Sequence, residues 1–500
     1  MKPTRQFLLC ITMILCFGIV FFSEQPTFIK GTAATLYGAI ALSICYVLML
    51  ENRSPYKTLL WIYAILFFPI IGYIFFIYSG QLQVKGHLFK QKRLHDYEQA
   101  QIMHHENRSS EKWTHLHESE REFSKLITAL SNQTISFSSQ TEILKNGDEK
   151  FPRLLQELQA ATDFIHIEYY IFRSDRIGKE IIAVLCKKAK EGVEVRFSYD
   201  GIGSLTMSDG DISHLKESGV EVYSFLPIRK GFFNQKFNFR NHRKVVVIDG
   251  RIGFVGGLNV GDEYLGRNPD FGFWRDTHML VKGEALRDLH RVFLLDWNYV
   301  SGDSLLTERY LSVQPAEDEG GVQIVPSGPD TSQGVMSYLY YSMITSAKKS
   351  VWIVTPYFIP SKEIRTALLI AAVKGIDVRV MVPEKNDGFL TQYATRSYFS
   401  ELLQYGVKVY TYQKGFHHQK TIIVDESYAT LGTANVDLRS FHLNFEVNVF
   451  MFRTPTVQTL VSHYLGDIKN AIEIDKEAHF KRGMAVRTKE SFSRLFSPVL

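Results

Sequence analysis

A duplicated α/β architecture preceded by membrane helices is the fold class that this 500-residue sequence predicts. Three observations carry that reading. Helical patterns alternate with buried strands, the alternation recurs in a second half of the chain, and three apolar stretches crowd the first eighty residues.

The repeat is visible residue by residue. Ala189-Lys-Glu-Gly-Val-Glu-Val-Arg-Phe197 is echoed by Ala372-Val-Lys-Gly-Ile-Asp-Val-Arg-Val380, and the segment 215–223 by 402–410. Each reads as a helix end, a glycine cap and an entering strand. Two layered α/β units, paired about a pseudo-two-fold with the sheet inside and helices outside, are therefore expected over 131–320 and 321–500.

Both units carry H-x-K-x-x-x-x-D, as His242-Lys244-Asp249 and His418-Lys420-Asp425, followed at equal offsets by Gly256 and Asn259, then Gly432 and Asn435. The β-branched runs after each Lys predict buried strands. Residues i and i+2 of a strand share a face, so each His should sit beside its Lys. Asp249-Gly250 predicts a hairpin that returns Asn259 towards His242. A His, a Lys and an Asn from each copy would then surround one small anion. Imidazole supplies a nucleophile or proton shuttle, while ammonium and amide groups stabilise negative charge. Asp249 and Asp425 fall at strand ends, where they hold local structure rather than touch substrate.

These motifs resemble the phospholipase D superfamily. Gly432-Thr-Ala-Asn-Val-Asp-Leu-Arg-Ser-Phe-His-Leu-Asn-Phe-Glu446 and Phe273-Trp-Arg-Asp-Thr-His278 are similar to its bacterial cardiolipin synthase branch. The resemblance extends over roughly residues 35–500, with Thr433 where the family often has Ser. It implies duplicated phospholipase D-like domains and transfer of a phosphatidyl group between two phosphatidylglycerols, giving cardiolipin and glycerol. One His becomes a phosphohistidine and the other serves as general acid, then base. His242 is taken as nucleophile by family habit, although the sequence does not order the two. A carboxylate some 30 residues downstream orients each His, which by position makes Asp276 and Glu446 the candidates. Hydrolysis, with water as acceptor, and a non-catalytic lipid-binding scaffold stand as alternatives.

The apolar stretches lie at about 7–22, 32–50 and 58–79, and form an expected anchor over 1–80. The second and third are long enough to span, whereas the first reads as an uncleaved anchor or a signal peptide. Lys2 and Arg5 ask for a cytoplasmic N-terminus, and Lys85, Lys90, Lys92 and Arg93 ask for the same side after the third stretch. Three spans cannot satisfy both. A multi-pass cell-membrane protein with its catalytic part on the cytoplasmic face is the expectation. Residues 81–130 are expected to form a juxtamembrane linker whose charged, His-rich part is solvated.

The first copy carries eleven extra residues within 228–241, rich in Phe and basic residues, which read either as a lipid-contacting loop or as one packed on the domain. Formal net charge is +5, which fits an anionic lipid surface but decides little. The apolar segments and the lack of a broad basic stripe argue against nucleic acid. Only Cys186 among four cysteines lies in the soluble part. With no paired-Cys or H-E-x-x-H site and no G-x-x-x-x-G-K-[ST] loop, neither a metal nor a nucleotide cofactor is implied.

Overall fold

The computed structural model describes residues 3–50, 55–76, 88–102, 116–227, 236–317, 320–331, 334–497 and 500. The chain divides into two compact units, residues 1–88 with 230–238, and residues 89–229 with 239–500.

In the first unit, helices Pro3–Phe22, Thr27–Leu50, Pro55–Phe67 and Pro69–Phe75 bury Met13, Ile40, Ile44, Leu48 and Ile65 together. Only Thr27–Leu50 is long and apolar enough to cross a membrane among the described residues, with 24 residues and a hydropathy of 2.0. At about 1.5 Å per residue it exceeds the hydrocarbon thickness of a bilayer. The third apolar stretch departs from the expected single span, because the chain bends at Phe68 between two shorter helices. Pro69 explains the break: it has no N–H to donate and disfavours helical geometry at the residue before it. The bend also brings Gly72 against the Ala64 carbonyl, where a Cβ would not fit. Residues 77–79 of this stretch lie outside the described residues.

The second unit contains two sheets built to one plan. In the first half, β1 (Ser139–Lys145), β2 (Phe164–Tyr169), β3 (Glu194–Asp200), β4 (Glu221–Phe225), β5 (Val245–Ile248), β6 (Ile252–Gly256) and β7 (Thr277–Gly283) lie in the order β1-β7-β6-β5-β2-β3-β4. The second half contributes β8 (Gly321–Ser327), β9 (Ser350–Val354), β10 (Asp377–Pro383), β11 (Lys408–Tyr412), β12 (Thr421–Val424), β13 (Tyr428–Gly432), β14 (Asn444–Phe452) and β15 (Ala471–Glu473). Their order is β8-β14-β13-β12-β9-β10-β11-β15. Shifted by seven, the two orders coincide, with β15 added at one edge. The expected duplication is therefore realised strand for strand.

The strands read as unbroken apolar runs because both faces are covered. Val245 and Val247 of β5 join a central core with Ile423, Val447 and Val449 of the other sheet and the helices Glu284–Ser301 and Pro455–Asp467. Val246 and Ile248 point to the outer core, under helices Asn146–Gln159 and Arg176–Lys190. The second sheet's outer face is covered by Glu118–Ser131, Val335–Ser346 and Lys362–Val373. The hairpins after β5 and β12 each place two residues at positive φ, Asp249 (54°) with Gly250 (59°), and Asp425 (50°) with Glu426 (55°).

The segment expected to be a solvated linker is partly interior. Residues 103–115 lie outside the described residues, but Phe123 and Ile127 of Glu118–Ser131 are buried in the outer core. Before them, the helix Lys90–Ile102 plants Lys92 among three carboxylates, 2.7 Å from Asp96, 3.1 Å from Asp296 and 2.8 Å from Asp330. Burial opposes charge on Lys92, but Asp330 and Asp296 overcome it and raise its pKa. Phe89 meets Phe239 and Phe445 edge-on at 5.2 and 5.1 Å. A charge-rich sequence was misleading here because its cation is matched by acids distant in sequence. Lys92→Met should therefore destabilise the folded unit by about 3–5 kcal/mol, since it strands buried carboxylates. Urea denaturation of the detergent-solubilised protein measures this, and a loss under about 1 kcal/mol, the scale of an exposed pair, would contradict it.

Candidate active site

Each motif histidine is carried out of its own half. Arg240–Asn241 pairs in parallel with Asn444–Phe445 at the start of β14, and the His242 N–H donates to the Phe445 carbonyl at 2.9 Å. Gly415–His417 likewise pairs in parallel with Phe273–Arg275, and the His418 N–H donates to the Arg275 carbonyl at 2.8 Å. Phe445 and Arg275 are the residues immediately before Glu446 and Asp276. The backbone thus sets each imidazole beside the carboxylate of the opposite half. His242 Nδ1 lies 2.8 Å from Glu446 Oε2, and His418 Nδ1 lies 2.8 Å from Asp276 Oδ2. The expected pairing, in which Asp276 serves His242 and Glu446 serves His418, is corrected to its reverse.

Both lysines behave as the i+2 spacing requires. Lys244 Nζ donates to the His242 carbonyl at 2.6 Å, and Lys420 Nζ to the His418 carbonyl at 2.5 Å, with His418 Nδ1 at 3.0 Å. The motif glycines permit close approach. A Cβ on Gly257 would collide with the Asp276 carboxylate, and one on Gly432 with the Asn448 side chain. The Thr433 hydroxyl accepts from the Val447 N–H at 2.9 Å, beside Glu446.

The asparagines do not reach the imidazoles in a hydrogen bond. Asn259 Oδ1 accepts from the Ile171 N–H at 3.1 Å and its Nδ2 donates to the Tyr264 hydroxyl at 3.0 Å. Asn435 donates its backbone N–H to Ser440 Oγ at 3.1 Å, and its Oδ1 is buried. Asn259 thereby fixes the loop that carries Tyr170. Tyr170 packs edge-on against His242 at 4.9 Å, and Tyr357 against His418 at 6.4 Å. Sequence reasoning missed this pair, although 170 and 357 differ by the same 187 residues as Gly219 and Gly406. Arg243 was missed as well. Its Nη1 donates to Asp296 at 2.5 Å and its Nε to the Glu446 carbonyl at 3.1 Å, which joins the Lys92 cluster to the site.

Burial dominates the electrostatics. It lowers His242 to about 4 against the pull of Glu446. Burial together with the Lys420 ammonium lowers His418 to about 3 despite Asp276. Burial also lowers Lys244 to about 7, against Glu446, and Lys420 to about 8, against Asp276. Burial alone would raise Glu446, but His242 and Lys244 hold it at about 2, and Lys420 and His418 likewise keep Asp276 below its ordinary value. Each lysine also repels the histidine of the other half, so the two half-sites share one electrostatic neighbourhood. Both imidazoles are neutral near pH 7 with Nδ1 committed to a carboxylate, which leaves Nε2 for chemistry. Among the described residues, no group of three His, Cys, Asp or Glu is arranged to hold a metal ion.

Asp249 and Asp425, counted with the motif as catalytic candidates, are corrected to structural residues. Asp249 accepts the N–H groups of Thr162, Asp163 and Phe164, and Asp425 those of Lys348, Lys349 and Ser350. Each ties its hairpin to the start of the neighbouring strand. At about 3.3 Å per residue, each lies roughly 20 Å along the strand from its His. The extra segment before His242 was read as a candidate lipid contact through Phe232 and Phe233, and those residues lie outside the described ones. Its end is interior, with Phe239 and Asn241 buried.

Two imidazoles with crossed carboxylates, on a duplicated sheet, define the phospholipase D class. A family model described as "Cardiolipin synthase, PLD-like domain" matches residues 154–297 and 340–468, and one described as "Phospholipase_D-nuclease N-terminal" matches 38–81. The chain is 49% identical over 495 residues to the "Probable cardiolipin synthase YwiE" of Bacillus subtilis (strain 168), covering 99% of this chain and 98% of that one. It is 48% identical over 475 residues to the "Cardiolipin synthase" of Halalkalibacterium halodurans, covering 94% of each. Among solved structures, phosphatidylserine synthase of Haemophilus influenzae Rd KW20 superposes with a TM-score of 0.60 at 16% identity, covering 77% of this chain and 100% of that one, a likeness of fold. The chain belongs to the cardiolipin synthase family of the phospholipase D superfamily.

Removing the Asp249 caps should cost stability without touching the chemistry. Asp249→Ala is expected to lose about 2–3 kcal/mol, the scale of charged hydrogen bonds, in a thermal or urea melt. The folded fraction should turn over within about threefold of the parent, far from the roughly 10²-fold or greater loss that follows removal of a general acid or base.

Proposed function

We infer that this chain is a cardiolipin synthase that transfers a phosphatidyl group from one phosphatidylglycerol to the hydroxyl of another and releases glycerol. The observation that supports this most directly is the crossed pair of buried His–carboxylate units, each flanked by a buried lysine. Such a pocket suits a phosphodiester monoanion, whose charge the two ammonium groups offset.

In this reading His242 Nε2 attacks phosphorus, and the bond to the glycerol oxygen breaks as His418 delivers a proton to it. The phosphatidyl group then rests on His242. The incoming phosphatidylglycerol hydroxyl gives its proton to His418 and attacks phosphorus, breaking the P–N bond and forming cardiolipin. Glu446 and Asp276 hold each imidazole in the tautomer this requires. One phosphodiester is exchanged for another, so no nucleotide is consumed. Association with the membrane follows from the Thr27–Leu50 helix and places a lipid alcohol beside the site. A multi-pass anchor with the catalytic unit on the cytoplasmic face is our placement, supported by the basic residues Lys85, Lys90 and Arg93 that follow the anchor.

The deciding experiment incubates the purified protein with phosphatidylglycerol in mixed micelles and follows lipid products and glycerol. Cardiolipin with equimolar glycerol is expected, and both should vanish in His242→Ala and His418→Ala. Phosphatidic acid with glycerol would show instead that water is the acceptor, and no turnover would leave a lipid-binding scaffold.

The pH profile tests the charge assignment. His242 is the free base above about 4, and Lys244 and Lys420 are charged below about 7 and about 8. Because kcat/KM reports the free enzyme, it should rise through the first value and fall through the last two. The bound phosphodiester favours both ammonium groups, so kcat should persist to higher pH than kcat/KM. Coincident alkaline limbs would contradict this.

A further inference from the structure

The helix Met484–Arg494 has its polarity inverted. An amphipathic helix on a water-facing surface buries its apolar stripe, but here the buried residues are polar. Glu490 is 3% exposed and accepts from Arg482 at 2.6 Å. Ser493 is fully buried, and Ser497 just beyond the helix pairs with the Tyr398 hydroxyl at 3.0 Å. Outward instead stand Met484 (72% exposed), Phe492 (53%) and Leu495 (74%). At 100° per residue these three fall within one quadrant of the helix, while Arg487 and Arg494 lie on one side of it and Lys489 on the other. Across 476–500 there are six Lys and Arg against two Glu.

This face adjoins the site. The helix packs against Phe389–Arg396, whose first residue, Phe389, is itself 55% exposed. Two residues earlier, Asp387 accepts a 2.5 Å hydrogen bond from the hydroxyl of Tyr357, the ring that flanks His418. A contiguous apolar patch rimmed by cations marks a surface that water does not satisfy.

We propose that the outward face of Met484–Arg494, together with Phe389, docks on an anionic bilayer surface and holds the mouth of the catalytic unit at the lipid headgroups. Apolar side chains would enter the headgroup–acyl boundary while Arg487 and Lys489 lie against lipid phosphates, as in interfacial helices. Charge complementarity selects a lipid surface as occupant, because a second copy of this face would bring like charges together. The proposal rests on the phosphatidyl transfer reading for why a membrane is sought, but its test needs no turnover.

The full chain, with its four cysteines replaced by alanine, is reconstituted into vesicles of phosphatidylglycerol and phosphatidylcholine. An environment-sensitive fluorophore is attached at Leu495→Cys or Met484→Cys, and for comparison at Lys187→Cys, an exposed position on another helix. Both 484 and 495 labels should shift to the blue and lose most of their emission to lipids brominated high on the acyl chain, and the Lys187 label should not. Adding Arg487→Glu and Lys489→Glu should reverse the shift. Water-like emission at 484 and 495, equal quenching at 187, or disulfide formation between copies through position 495 would each overturn the proposal. The micelle assay separately decides the fate of the transferase reading.

Discussion

The crossing of each histidine to the other half's carboxylate is the constraint on which the rest of this unit depends. His242 cannot reach Glu446 unless the segment before it leaves its own sheet and joins β14, and His418 cannot reach Asp276 without the equivalent exchange with Phe273–Arg275. Both carboxylates are fully buried, and neither could remain charged there without the imidazole and lysines that face it. Neither half contains a complete catalytic pair by itself. That is a physical reason for the two sheets to share one central core and to fold as one unit rather than as two linked domains.

The same constraint explains the small residues and the buried charges around the site. Gly257 and Gly432 lie where the crossing strands come too close for a side chain. Arg243 and Arg275 sit one on each side of the exchange. Arg243 is bound to Asp296 and to the Glu446 carbonyl, and Arg275 to Asp467 and the Asp276 carbonyl. These guanidinium groups satisfy backbone oxygens that strand exchange would otherwise leave without partners in the interior. Through Asp296 the first of them also meets Lys92, so the geometry of His242 is tied to the helix that opens the unit.

Much of this was legible in the sequence, and what was not has a common cause. Strand runs, the 187-residue repeat, the hairpins and the placement of each lysine beside its histidine follow from local spacing, which a sequence displays directly. The partner of each carboxylate depends on which half lies across the pseudo-two-fold, and spacing from His242 to Asp276 carries no such information. Lys92 read as solvent-facing because its acids are up to 238 residues away, at Asp330. Asp249 and Asp425 were drawn into the motif by proximity in sequence, whereas a strand carries them about 20 Å from the chemistry. Tyr170 and Tyr357 were recoverable, since extending the repeat upstream would have aligned them.

The neutral histidines leave one question about proton supply, and the reaction itself answers it. With Nδ1 donating to a carboxylate, both Nε2 atoms carry lone pairs, which suits the nucleophile but not the group that must protonate the departing glycerol. In the exchange of one alcohol for another, however, the acceptor hydroxyl returns to His418 the proton that glycerol took from it. The cycle therefore neither consumes nor releases a proton, and His418 finishes each turnover charged. Only the first turnover must find that proton, and a bound phosphodiester anion favours its uptake by raising the pKa of the nearby imidazoles and lysines together. A site whose empty state suppresses charge on four basic groups is thus matched to a substrate that brings the compensating charge with it.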